Sequence, residues 1–184
     1  MNSVGRANEV VAQMSVEAEA LDVEPLFRLH YARIARMIAR MVRDRARAEE
    51  LAVEVFLKLW RKGTKDMHCV EAWIYRVALR AGLDELRRQV RRARYEGLLE
   101  WMHLERQPAT PEELRRNCEV ADRVRAVLSR IPVKQAQLLL LRSEGWSYAE
   151  LAATLRWNPA SVGTTLKRAE EAFRKEYIER YGQP

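Results

Sequence analysis

Cysteine is nearly absent from this sequence: Cys69 and Cys118 are the only two, far apart and in no CxxC pair. Histidine is equally sparse. His30, His68 and His103 are scattered, and His68–Cys69 is the one close His/Cys pair, two ligands short of a zinc site. A disulfide-stapled scaffold and a zinc module are therefore not supported, and no metal or cofactor is expected. Both cysteines read as reduced thiols of a cytoplasmic protein. Seven glycines and six prolines are few for 184 residues, which disfavours a turn-rich sheet protein. The longest aliphatic run, Leu138–Leu141, is too short to span a bilayer, so no membrane insertion is expected. The first 22 residues lack a cationic start followed by an apolar core, and no signal peptide is expected. Paired carboxylates, nucleophile motifs and phosphate-binding loops are missing too, which argues against an enzyme.

What the chain has in quantity is Ala, Leu, Arg and Glu, a composition that favours helices. It also has a surplus of positive charge, +7 overall, which suits a polyanionic partner. The surplus is uneven. Residues 26–65 hold eleven Lys plus Arg against four acids, and residues 69–95 hold seven Arg against three. Residues 145–184 hold six against five, so the last segment alone would grip phosphates weakly.

Residues 1–22 are polar and mildly acidic and read as an N-terminal tail. Helical spacing begins near Glu24, where Phe27, His30, Ile34, Met37, Ile38 and Met41 share a face and Arg33, Arg36, Arg40 and Arg43 line the opposite side. A second helix is predicted over about 46–62, with Ala48, Leu51, Val55 and Leu59 inward and Gly63 as its stop. A third runs from about Val70 to Tyr95, apolar at first (Trp73, Ile74, Val77, Ala78, Ala81) and arginine-rich later. Residues 97–109 break the pattern and read as a linker that carries Leu98, Leu99, Trp101, Met102 and Leu104. Thr110, Pro111 and Glu113 then form a start signal for a helix with Leu114, Cys118, Ala121, Val124 and Leu128 inward. Another helix is predicted over about 133–144.

The end of the chain carries the most specific local pattern. Ser147–Glu150 is a capping box, with Trp146 and Leu151 placed as a hydrophobic staple. A short helix follows. Asn158 and Pro159 then open a second helix, whose inward face is Val162, Leu166, Ala169 and Phe173. Two helices joined by a three-residue turn make a helix-turn-helix. Its outward N-terminal side is Ala160, Ser161, Gly163, Thr164, Thr165, Lys167 and Arg168. An ordinary helical hairpin in a bundle is the competing reading of this segment alone.

"EELAVEVFLKLW" at 49–60, "AWIYRVALRAGLDELRRQVRR" at 72–92 and "LSRIPVKQAQLLLLRSEGWSYAELAATL" at 128–155, in that order, resemble the extracytoplasmic-function group of sigma-70 RNA polymerase sigma factors. The resemblance covers about 24–95 and 112–177. It implies an all-α protein of two small modules: an N-terminal tail (1–22), a region 2-like domain (23–96), a linker (97–110), a region 4-like helix-turn-helix domain (111–178) and a C-terminal tail (179–184). Its implied partners are core RNA polymerase, promoter DNA and an inhibitory protein of the anti-sigma kind.

On that resemblance, Glu49, Glu50, Glu54 and Lys58 are exposed and dock on core polymerase. Lys65, Asp66 and His68 belong to a loop, Gly63–His68, that receives a base flipped from the opened −10 element. Trp73, Tyr75, Arg76, Arg80, Arg87, Arg88 and Arg91 hold the non-template strand. Aromatics that stack on bases and arginines that track a backbone suit that task, although Trp73 and Tyr75 fit a core role equally well. Ser147, Pro159, Ala160, Ser161, Gly163, Thr164, Thr165, Lys167 and Arg168 read the −35 element. The implied inhibited form buries both DNA faces between the modules.

The sequence also departs from the family pattern. An acidic residue is usual at Arg47, glutamine at Val53, asparagine at Arg80, glycine at Arg156, and Lys or Arg at Gly163 and Thr165. These departures leave open a sigma-like regulator or adaptor with weakened promoter recognition. A dimeric helix-turn-helix repressor is disfavoured by the first module.

Overall fold

The structure is a computed structural model that describes residues 23–63, 69–100 and 112–183. Its described residues form seven helices and no strand: α1 (Val23–Met41), α2 (Arg45–Lys62), α3 (Val70–Glu100), α4 (Glu112–Leu128), α5 (Val133–Ser143), α6 (Tyr148–Leu155) and α7 (Pro159–Tyr181). The all-α, two-module expectation holds.

Helices α1, α2 and α3 pack on one another as the first module. Ile34, Ile38 and Met41 of α1 meet Leu51, Val55 and Leu59 of α2 and Ile74, Leu79 and Leu83 of α3 in its core. The Asp44 carboxylate caps α2 by accepting from the Arg47 N–H at 3.2 Å, and the Gly63 N–H closes the helix on the Leu59 carbonyl. Gly82 of α3 is a close-approach position, because a Cβ there would collide with the thioether end of Met41. Helix α3 runs past the sequence-based end at Tyr95, through Glu100, into the segment read as linker. Gly97 costs a helix only about 1 kcal/mol, and the flanking Leu98, Leu99 and Glu100 are good helix formers. Thr110 and Pro111, read as the cap of α4, lie outside the described residues.

Helices α4 to α7 form the second module, with α7 packed on α4, α5 and α6. Leu138, Leu141 and Leu151 are fully buried there, each contributing about 1.5–3 kcal/mol of apolar burial. Val162, Leu166 and Ala169 are buried on α7, as their spacing predicted. The capping box of α6 is complete. The Ser147 hydroxyl and backbone N–H both reach the Glu150 carboxylate at 2.7 Å, and the Glu150 N–H reaches the Ser147 hydroxyl oxygen at 3.3 Å. Asn158 caps α7 by accepting from the Ala160 N–H at 3.0 Å.

Arg156, between α6 and α7, has φ 57° and ψ 49°, a left-handed conformation that favours glycine, the residue the resemblance leads one to expect there. Arg156→Gly should stabilise the second module by about 1 kcal/mol and raise its melting midpoint by about 4–8 °C, measured by calorimetry. The hydrogen bonds from Ser147 hold the Glu150 carboxyl below its ordinary pKa. A lowered folded-state pKa means the cap is fully formed above the carboxylate range and is lost as pH falls through the folded value. Amide exchange at Ser147, measured by NMR, should therefore accelerate as pH falls below the ordinary carboxylate range, beyond the intrinsic trend. Glu150→Gln should abolish that extra dependence.

Candidate nucleic-acid interface

The outer face of α2 carries a charge network. Glu50 and Lys58 are exposed as expected, but Glu49 and Glu54 are half-buried. Glu49 accepts from Arg45 at 3.0 Å. Arg47, standing where the resemblance expects an acid, donates to Glu50 at 2.8 Å, Glu54 at 3.3 Å and Glu85 at 3.4 Å. The Glu50 hydrogen bond, above all, raises the Arg47 pKa despite the opposing effect of burial. Glu85, only 8% exposed, also accepts from Arg88 at 3.2 Å, so a buried carboxylate is paired twice. Beside this network lies an apolar strip the sequence reading did not collect: Val53, Leu57 and Trp60, all exposed, with Trp60 at 64%. Their i, i+4, i+7 spacing outside the core stripe was the available signal. They line a groove completed by Val23, Phe27 and Phe56.

Helix α3 sorts its candidates into two groups. Arg80, Arg88 and Arg91 are exposed. Trp73 is half-buried, with the Lys62 ammonium 5.8 Å from its ring. The second group faces the other module. Tyr75 is 3% exposed, which assigns it in this structure to packing. Its ring meets the ring of Trp146 at 4.8 Å and 75°, and the Arg33 guanidinium lies 5.6 Å and 5.3 Å from the two ring centres. Burial pushes the Tyr75 hydroxyl pKa up, with nearby Arg33 pulling the other way. On its other side Tyr75 approaches His30, whose Nδ1 is 3.4 Å from the hydroxyl.

Arg76 donates to the Thr154 carbonyl at 2.6 Å. Burial lowers the Arg76 pKa, and the charge of Arg156 acts in the same sense. Arg87 donates to the carbonyls of Ser129 and Ile131, both at 3.0 Å. Arg40 near the end of α1 and Arg43 just beyond it are likewise engaged by the second module, Arg40 with Glu144 and Arg43 with Asp122. Lys65, Asp66 and His68, assigned to the loop after α2, lie outside the described residues.

On the helix-turn-helix, Pro159, Ala160, Ser161, Thr164, Lys167 and Arg168 are exposed, while Gly163 and Thr165 are half-buried. Ser147 is exposed and committed to the capping box. The hydroxyls of Ser161 and Thr165 donate to backbone carbonyls of Asn158 and Ser161, which commits both protons and leaves the oxygens as acceptors. Gly163 is not required sterically. A Cβ there would sit 3.5 Å from Cε2 of the Tyr148 ring, an ordinary contact. Tyr148 is 48% exposed, with the Arg142 guanidinium 5.5 Å from its ring, so an aromatic–guanidinium pair stands beside the bare glycine. Of the α3 candidates, Tyr75, Arg76 and Arg87 thus face the second module, whereas Arg80, Arg88 and Arg91, like the N-terminal side of α7, are exposed. Among the described residues no cluster of three His, Cys, Asp or Glu could hold a metal, and no helix is long and apolar enough to cross a membrane.

Comparison with known proteins agrees with this two-module layout. The family model for sigma-70 region 2 matches residues 26–92, and that for sigma-70 region 4 matches residues 121–173. The chain is 28% identical over 163 residues to the ECF RNA polymerase sigma factor SigE of Mycolicibacterium smegmatis, a match covering 86% of this chain and 62% of the relative. It is 26% identical over 160 residues to the ECF RNA polymerase sigma factor SigX of Bacillus subtilis, covering 82% and 80%. The chain thus spans less than two thirds of SigE and most of SigX. Among solved structures, the sigma factor RpoE of Bartonella quintana, determined in complex with the anti-sigma factor NepR, aligns with a TM-score of 0.48 at 15% identity, covering 87% of this chain and 98% of that one. With both region models in order on two helical modules, the chain belongs to the extracytoplasmic-function group of the sigma-70 family of RNA polymerase sigma factors.

Proposed function

We propose that this sigma factor is a dissociable initiation subunit with three working surfaces. The outer face of α2 docks on core RNA polymerase. Helix α3, with the loop Gly63–His68, holds the unpaired strand of the −10 element. The N-terminal side of α7 reads the −35 element in the major groove. The observation that carries this reading is the ordered pair of region 2 and region 4 matches, each falling on its own helical module. No covalent step is involved. Promoter opening draws on binding free energy, as flipped and unstacked bases are trapped on aromatics and arginines. An anti-sigma protein is the further partner that the resemblance implies.

On the polymerase side, the charged network around Arg47 sets orientation, and the Val53–Leu57–Trp60 strip supplies apolar burial. Polar pairs steer and buried aromatics anchor. On the −35 side, Gly163 and Thr165 remove two positions for long cations, so Lys167 and Arg168 carry the phosphate contacts.

The direct test adds the purified chain to core polymerase on a pool of genomic fragments and maps transcript 5′ ends. Starts that share −10 and −35 sequences are expected. Binding to core without specific starts would favour an adaptor, the reading motivated by the departures at Val53, Arg80 and Gly163. Leu57→Asp should weaken core polymerase binding at least about tenfold, measured by competition against the unaltered chain, while the fold by circular dichroism stays unchanged. Gly163→Lys should tighten binding to −35 duplex and steepen its logarithmic salt dependence by about one. An unchanged salt slope would remove Gly163 from the groove.

A further inference from the structure

The outer side of the α1–α2 hairpin carries a groove that no other described helix fills. At one end it is apolar, where Val23 and Phe27 of α1 meet Val53, Leu57 and Trp60 of α2. At the other end Tyr31, Ala35 and Ala39 of α1 face Arg45 and Glu49 of α2. The Phe27 and Tyr31 rings stack at 4.7 Å, so the two stretches adjoin, and Phe56 closes the floor edge-on to Phe27 at 5.0 Å. Each helix thus offers a row of residues about one turn apart, the ridge into which another helix packs. Small alanines on the α1 row let a backbone come close.

Residues 1–22 lie outside the described residues and join α1 at Val23, the apolar end of this groove. Their sequence carries what the groove lacks. Val4, Ala7, Val11, Met14 and Ala18 recur at alternating steps of three and four residues, the spacing of one narrow apolar stripe on a helix. That stripe spans about 21 Å at about 1.5 Å per residue, against about 24 Å from Val23 to Ala39. Glu19–Asp22 leaves a turn of the length that joins antiparallel helices. The charges are complementary as well. Residues 1–22 hold four acids against Arg6, and the far end of the groove is rimmed by Arg36, Arg40, Arg45 and Arg125 against Glu49. Arg36 is exposed and makes no ion pair among the described residues. A short helix with a single stripe is marginal alone and needs a partner for its apolar side.

We propose that residues 4–18 seat in this groove as a third helix of the hairpin, antiparallel to α1, and cover Val53, Leu57 and Trp60. A second copy of the chain could bury the same strip, but it would bring arginines to the basic end, whereas the N-terminal segment brings acids. The proposal rests on the proposed function in one respect, the assignment of the α2 strip to core polymerase. Segment and polymerase then compete for one surface. The free chain binds core with an affinity reduced by the fraction of molecules whose groove is filled.

The test places a nitroxide on the full chain through Asn8→Cys, with Cys69→Ser and Cys118→Ser, and reads amide broadening by NMR. A seated helix carries the label about 20 Å along α1 from Val23, beside Ala35 and Ala39. The amides of Ala35 and Ala39 should therefore broaden more than those of Val23 and Trp60. The reverse order, given by a tail that merely hangs from Val23, would overturn the seat. So would equal broadening in a mixture where nitroxide and isotope sit on different chains, which reports a second copy in the groove. Val11→Ser with Met14→Ser removes the stripe without adding charge. It should erase the broadening at Ala35 and Ala39 and raise core polymerase affinity about tenfold, measured by competition against the unaltered chain. Lost broadening with unchanged core affinity would overturn the competition. If neither chain binds core, the initiation-subunit reading fails, while the order of broadening still decides the seat.

Discussion

The contact of α3 with two sets of neighbours is the constraint on which the rest of the structure depends. One side of this helix, through Ile74, Leu79 and Leu83, completes the core of the first module. Another side, through Tyr75, Arg76 and Arg87, is held by α4, α5 and α6 of the second. A single straight helix cannot turn one side without turning the other. The position of the second module is therefore tied to the residues that would meet an unpaired strand, and to the α2 face that packs behind them.

Magnitudes separate the two contacts. The module cores are built from fully buried Leu, Ile and Met side chains, each contributing about 1.5–3 kcal/mol. The seam between the modules mixes both kinds of contact, because the buried apolar residues of the two modules form one continuous cluster around which the polar pairs lie. Its hydrogen bonds from guanidinium to carbonyl are worth about 1.5–3 kcal/mol each at best, and its partly exposed ion pairs about 0–1 kcal/mol. The seam thus combines apolar burial with guanidinium hydrogen bonds and ion pairs. It is also the element most sensitive to salt and to competing anions, since charge carries much of it.

Much of this was legible in the sequence. The core stripes of α1, α2 and α7 fell where their spacing put them, because an amphipathic helix has one way to bury its apolar face. The caps at Ser147 and Asn158 were legible for the same local reason. The seam was not. Arg33, Arg40 and Arg43 read as a free basic stripe, and Tyr75 as an even choice between core and base stacker, because long-range packing leaves no periodic signature. Trp146 shows the limit well: its neighbours in sequence placed it as a staple, while its ring also meets Tyr75 across the seam. The exposed strip Val53, Leu57 and Trp60 was readable in principle, but the charged residues between them drew the assignment.

Arg156 and Gly163 exchange the residues the family pattern expects: an arginine in a left-handed turn and a glycine on the recognition helix. The first carries a backbone strain that glycine would not. The second leaves Tyr148 and Arg142 as the side chains nearest the gap. Gly163 leaves Lys167 and Arg168 as the exposed cations on the N-terminal side of α7, and on the proposed assignment the arginines of α3 carry the larger share of the polyanion contact. The most direct measurement of that claim is permanganate footprinting of thymines on a promoter fragment, with core polymerase and this chain present. The account predicts reactive, unpaired thymines around −10 that appear only when both proteins are present and fade when Arg87 and Arg88 are replaced by alanine. Full reactivity in that double variant, or transcription starts with no reactive thymines, would contradict it.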